Sequence, residues 1–413
     1  MAAHTADFGT RSMNRFQTPL TLSLLLATLM LQAQDESSTP EPGKPLVVAQ
    51  YYTWYGTPFG AAEGFLHWQS EAENPIYDKA QAPEVILFPP AIRQINSCAY
   101  PLIGTYDSMD REVVRWHIRL AKAAGIDAFL VDWWGPAGWQ KPAGWTHDVF
   151  VNTVLPVAEE EDFKVTLFDE TAQFVDDFDT VKAWTLQYLK QFKDSPAWLH
   201  IDGKPVWSVY QLWEGKLTAQ QGAELIRETE AELGPVYWMV DRMRLRNTDQ
   251  GLELFTPDDW LAIDGLDCVL GYAMFSTWRF DTYEDLAPLY KAYVEDLHAA
   301  GKKAMLPVHP GHDNRKINPE PYWMPRREGR TLRDFWRAAH DAGADLICIT
   351  SFNEWPETTV VEPAMTWPDP YAYLRIVAEF QGRTFTPPPL PPPEHLDPAA
   401  AEYLRNLPAP TAP

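Results

Sequence analysis

The stretch REVVRWHIRLAKAAGIDAFLVDWW, residues 111–134, decides the fold. Val114, Ile118 and Ala121 recur at helical spacing on one face. Asp107, Ser108 or Asp110 is placed to cap the start, and Gly125 stands just past the end. The chain then enters 128–134, where Phe129-Leu-Val131 reads as a strand buried on both faces. A helix, a glycine stop and a doubly buried strand make one unit of a parallel α/β arrangement, because parallel neighbours need a crossover between them.

The same unit recurs in both directions. Eight strands are predicted, at 46–52, 128–134, 164–168, 206–210, 237–241, 268–272, 303–308 and 345–351. Helical segments are predicted at 111–124, 148–160, 180–193, 218–233, 283–300, 331–342 and 371–380. An eightfold alternation favours a closed (β/α)8 TIM barrel, a single catalytic domain over 46–382, above an open doubly wound sheet. No Gly-rich dinucleotide fingerprint follows any strand. The aromatic and proline-rich insertion from Gly56 to about Tyr106 is expected to wall the barrel mouth.

The ends read differently. Residues 1–34 join Arg11 and Arg15 to an apolar run from Leu20 to Leu31, the pattern of a signal peptide or N-terminal export segment, and 35–45 form a polar linker. A secreted or periplasmic protein is therefore expected, with a membrane contact only if that segment stays uncleaved as an anchor. Residues 383–413 form a Pro-rich C-terminal tail, expected to run extended along the surface. Fifty-seven acidic against 34 basic residues give a formal charge of −23, which disfavours nucleic acid and anionic membranes and suits a neutral substrate. Eighteen tryptophans supply flat apolar faces of the kind sugar rings stack on. Cys268 and Cys348 lie in apolar strands and read as buried thiols, so neither a disulfide framework nor a zinc site is expected.

In such barrels the carboxyl ends of the strands carry the chemistry. Those ends hold Tyr52, Asp132-Trp133-Trp134, Glu170, Tyr210, Asp241, Tyr272, His309 to Asp313 and Asn353-Glu354-Trp355-Pro356-Glu357. Acids and aromatics converge on one rim, as glycosidic cleavage requires: paired carboxyls supply a proton and electron density, and aromatics build the walls. Glu354 and Glu357 are the catalytic candidates. Residues three apart in a straight strand face opposite ways, so both reach one substrate only if the chain bends, and Pro356 suits a bend. Asp132 and Asp241 read as structural acids or catalysts; Glu170, Tyr52, Tyr210, Tyr272 and Asn353 read as substrate contacts. His309, His312 and Asp313 have no matching ligands on a neighbouring strand, so loop structure is expected there rather than a metal site.

Several stretches together carry a family resemblance: Tyr51-Tyr-Thr-Trp-Tyr-Gly56, His67-Trp68, Tyr100-Pro-Leu-Ile-Gly104 with Tyr106-Asp-Ser108, Asp132-Trp-Trp-Gly135, Pro310-Gly-His-Asp313, Asn353-Glu-Trp-Pro-Glu357 and Glu362-Pro-Ala364. In this order, across 46–382, the set resembles glycoside hydrolase family 99, the endo-α-mannosidases, and the related family-99-like proteins of polysaccharide gene clusters. The resemblance implies retaining attack on an internal α-mannosidic bond of an oligosaccharide or polysaccharide, with no metal or organic cofactor. It implies that Glu354 acts as base on the sugar's 2-hydroxyl, through an anhydro-sugar, and Glu357 as acid/base. Tyr52, Tyr210 and Tyr272, with Trp133 or Trp134, match the family's aromatic subsite residues. One departure stands out: the family has histidine between tryptophan and the second glutamate, where this chain has Pro356. An α-glucanase of a related barrel family, or a non-cleaving carbohydrate-binding or polysaccharide-assembly protein, are the rival expectations.

Overall fold

The computed structural model describes residues 44–69, 82–87, 91–138, 142–210, 216–249, 251–272, 282–318 and 321–405. The expected export segment, most of the polar linker and residues 406–413 of the tail lie outside these. Eight parallel strands form the barrel: β1 (Leu46–Tyr51), β2 (Ala128–Trp133), β3 (Lys164–Asp169), β4 (Lys204–Val209), β5 (Tyr237–Asp241), β6 (Leu266–Leu270), β7 (Lys303–Val308) and β8 (Leu346–Ile349). Their hydrogen-bonded order runs β3-β2-β1-β8-β7-β6-β5-β4, and β3 closes on β4 through Phe168 opposite Ser208 and Asp169 opposite Val209. This is the expected (β/α)8 TIM barrel.

The first helix forms as its sequence dictates. In α1 (Arg111–Ala124) the Asp110 carboxylate accepts the backbone N–H of Glu112 at 2.9 Å, and Gly125 adopts φ 83°, where a side chain would be strained. The buried face carries Val113, Val114, His117, Ile118 and Ala121 against the barrel. The next helix, α2, begins earlier than its pattern suggests and has three parts: Trp145–Val149, a π turn at Phe150–Val154, and Leu155–Glu160. Pro156, which cannot donate to the helical ladder, stands two residues past the end of the widened turn. The remaining outer helices are α3 (Phe178–Phe192), α4 (Ala219–Leu233), α5 (Tyr283–Ala299), α6 (Arg330–Asp341) and α7 (Ala372–Phe380).

Between β5 and β6 the crossover is an antiparallel hairpin, Arg244–Thr248 with Gly251–Phe255, followed by the four-residue helix Asp258–Leu261. No helical periodicity was available there. The tail also departs from a purely extended path. After the proline run, α8 (Pro398–Arg405) docks, with the wholly buried Asp397 accepting from Arg93 Nη2 at 2.9 Å and from Thr105 Oγ1 at 2.6 Å. Burying a carboxylate is tolerable only with such pairing. The C-terminal segment is thereby fastened to the insertion that follows β1.

Candidate active site

Beyond β8 the chain folds back on itself. Ser351 N–H donates to the Thr359 carbonyl at 2.8 Å and Val361 N–H to the Ser351 carbonyl at 3.0 Å, closing a loop over 351–361. At its tip, Thr358 N–H donates to the Trp355 carbonyl at 2.9 Å, so Trp355-Pro356-Glu357-Thr358 is a β-turn with proline in the second position, where its fixed φ fits. The expected bend is present. It turns Glu357 back onto Glu354, whose Oε1 accepts the Glu357 N–H at 3.3 Å. The Ser351 hydroxyl accepts the Glu354 N–H at 2.8 Å and fixes the other end.

The two carboxyls live in different surroundings. Glu354 is 3 % exposed, whereas a quarter of the Glu357 side chain faces outward. Burial first, then the charges of Glu357 and Glu170, hold the Glu354 carboxyl well above the usual range. Burial lifts Glu357 to about 7, against a stabilising hydrogen bond from Tyr272, whose hydroxyl donates to Oε2 at 3.2 Å. Tyr52 donates to the Tyr272 hydroxyl at 3.0 Å, and Tyr210 meets the Tyr272 ring edge-on at 5.6 Å. The three tyrosines expected from β1, β4 and β6 thus converge on the Glu357 carboxyl.

A second acidic pair faces the same mouth. Asp132, at the end of β2, and Glu170, just after β3, lie close enough to hydrogen-bond once one of them is protonated, with the Trp134 indole beside both. Burial lifts Asp132 to about 7, and burial together with the Asp132 charge holds Glu170 well above its usual range. Trp134 packs on Trp54 at 5.3 Å and Phe174 at 5.1 Å.

Two expected contacts are corrected. Trp133 points away from the mouth: it is fully buried against Tyr188 and Trp207, and its indole N–H faces His147 Nδ1 at 3.3 Å. Side chains alternate along a strand, so with Asp132 inside the barrel its neighbour lies outside. Asn353 is likewise fully buried, and its amide is engaged by the protein. Oδ1 accepts the Tyr52 N–H at 2.7 Å, while Nδ2 donates to the Tyr52 carbonyl at 2.9 Å and to the Tyr106 hydroxyl. It bolts the 351–361 turn to β1. Asp241 resolves as a structural acid that accepts the Tyr272 N–H at 3.2 Å.

Behind the turn lies a network the sequence reading did not assign. Trp355 Nε1 donates to Glu362 at 2.9 Å, Tyr106 donates to the same oxygen at 2.9 Å, and His117 Nε2 meets the other oxygen at 3.2 Å. Tyr55 donates to the Asn353 carbonyl at 2.8 Å and accepts the Trp355 N–H at 3.0 Å. Tyr55, Tyr106 and Glu362 stand in the quoted motifs, but nothing in the spacing joins them to His117, on α1. A buried network with every member partnered keeps the turn in one conformation. His309 packs on Phe335 and faces the Thr350 carbonyl, and among the described residues no three His, Cys, Asp or Glu side chains gather as a metal site.

Comparison with known proteins agrees with this architecture. The chain is 24% identical to the glycoprotein endo-α-1,2-mannosidase of Xenopus laevis over 80% of its length and 72% of that protein's. It is 26% identical to the human glycoprotein endo-α-1,2-mannosidase-like protein, over 77% of this chain and 68% of the relative. The structure of the family-99 endo-α-mannosidase from Bacteroides thetaiotaomicron superposes with a TM-score of 0.64 at 22% identity, over 81% of this chain and 96% of the other, and so shares the fold. The sequence profile described as glycosyl hydrolase family 99 matches residues 44–377, most of the chain, and the protein is a glycoside hydrolase that belongs to that family.

Proposed function

We propose that the protein cleaves internal α-mannosidic bonds of an oligosaccharide or polysaccharide with retention of configuration, using Glu354 and Glu357 as its catalytic pair. The observation that carries this reading is the turn that sets one closed-in carboxyl and one partly open carboxyl side by side. The named endo-α-1,2-mannosidases among its relatives supply the substrate class.

The working state holds one proton on the pair. In the reacting microstate it sits on Glu357, which delivers it to the leaving oxygen from its open side, while Glu354, ionised in that microstate, takes the proton of the 2-hydroxyl. The freed O2 attacks C1 as the C1–leaving-group bond breaks, giving a 1,2-anhydro sugar. Water then attacks C1 and yields its proton to Glu357, and Glu354 returns its proton to O2. Two inversions at C1 give retention. Buried Glu354, pushed upward by its neighbours, is a stronger base once ionised than a carboxylate in water.

Pro356, in place of the family histidine, favours a second reading in which the same pair acts on another α-linked glycan. A panel of α-mannan and α-glucan oligosaccharides separates the two. Endo-cleavage of the mannans is expected; cleavage of the glucans alone would transfer the mechanism to the second substrate. Binding without product on long incubation would contradict hydrolysis of either.

A further inference from the structure

Immediately after β7, His312 and Asp313 pair antiparallel with Trp323 and Met324, and this short hairpin is tied to the catalytic turn by the Asp313 N–H, which donates to the Glu357 carbonyl at 2.8 Å. The His312 ring is buried on the side of that tie that faces the carboxyl. Its Nδ1 lies 3.2 Å from the Tyr322 carbonyl. A carbonyl only accepts, so Nδ1 carries the hydrogen, and the neutral ring presents a lone pair on Nε2. That Nε2 lies 4.0 Å from Glu357 Oε2, the same oxygen Tyr272 reaches.

We propose that His312 is the positioning residue of the acid/base: its Nε2 accepts the proton of the Glu357 carboxyl between turnovers and keeps that proton aimed across the mouth until the leaving oxygen takes it. The proposal rests on Glu357 being the acid/base. A small rotation of the partly open Glu357 side chain brings 4.0 Å to hydrogen-bond distance, and the fixed ring need not move. Burial holds His312 down to about 4, so it remains an acceptor at neutral pH and does not become a competing acid. The other described groups acting electrostatically on Glu357 are Glu354 on its own turn, Tyr52 from β1, Tyr210 from β4 and Tyr272 from β6. Of these, Tyr272 donates to Glu357 and favours the ionised form, Glu354 is a like charge, and the two other tyrosines keep their protons. His312 supplies the acceptor. Position 356 of the motif carries proline here, and an imidazole stands beside Glu357 from a different strand.

Two substitutions separate this role from a purely structural one. His312→Asn retains a donor for the Tyr322 carbonyl in the place of Nδ1 and removes the acceptor. His312→Gln places an amide oxygen where Nε2 was and gives up the anchor. The readout is the titration of the Glu357 carboxyl by carbon NMR of protein labelled at the glutamate carboxyl carbons, the resonance being assigned by its absence in Glu357→Gln. In His312→Asn the midpoint should fall by about one pH unit, while in His312→Gln it should stay nearer the wild-type value; thermal stability should follow the opposite order. A midpoint in His312→Asn at or above the wild-type value, or a fall in His312→Gln as large as in His312→Asn, overturns the proposal. If only the glutamine variant folds, a fall of about one unit in that variant overturns it by itself. No substrate enters the measurement, so a wrong glycan assignment and a wrong role for His312 are told apart.

Discussion

Two acidic pairs meet in the barrel mouth, and they are held in opposite ways. Glu354 and Glu357 sit on one turn, each with its own partners: the Glu357 N–H on the first, the Tyr272 hydroxyl on the second. Asp132 and Glu170 come from separate strands and are partners mainly of each other. Division of labour between an acid and a base needs carboxyls with different environments. The strand-eight pair has that asymmetry, one member enclosed and one partly open. The other pair is suited to sharing a proton and to meeting sugar hydroxyls, with Trp134 alongside.

The sharpest way to break this contrast is to neutralise each acid in turn. Glu354→Gln and Glu357→Gln should each lower kcat/KM by about 100- to 10,000-fold in steady-state assays of glycan hydrolysis. Asp132→Asn and Glu170→Gln should lose on the order of 10-fold, mostly in KM, as expected of binding contacts. Equal losses in all four would erase the distinction drawn here.

A smaller effect tests the wiring of the strand-eight pair. With Glu357 raised to about 7, the rate should decline as pH rises through that value and the acid loses its proton. Tyr272→Phe removes a donor that favours ionised Glu357, so this alkaline limb should move to higher pH, by less than about one unit, with a few-fold loss of rate. A limb that moved downward would mean Tyr272 does not act on Glu357. The smallest kinetic effect belongs to Trp133, which packs outside the barrel. Trp133→Phe should leave kcat/KM within about twofold while costing about 1–3 kcal/mol in denaturant unfolding; a large loss of activity in a stable variant would return this residue to the site.

The strands were legible because buried parallel strands announce themselves as short apolar runs, and all eight predicted positions fall on barrel strands. Their carboxyl ends were legible to within a residue or two, which was enough to find the acids and tyrosines. One residue, however, decides which way a strand side chain points, and Trp133 was caught on that parity. Asn353 was misread for another reason. It adjoins Glu354, but its amide reaches a backbone 301 residues away, a pairing no local pattern encodes. The Glu362–His117 contact, across 245 residues, was hidden in the same manner. The hairpin between β5 and β6 carried no helical period, so this crossover left no trace in the helix prediction.

All of this converges on whether Glu354 and Glu357 act through the neighbouring 2-hydroxyl. Proton NMR of the first product released from an α-mannan oligosaccharide, recorded before mutarotation, tests that most directly. The α anomer should appear first and decay toward equilibrium; a product that appears first as the β anomer would contradict the account.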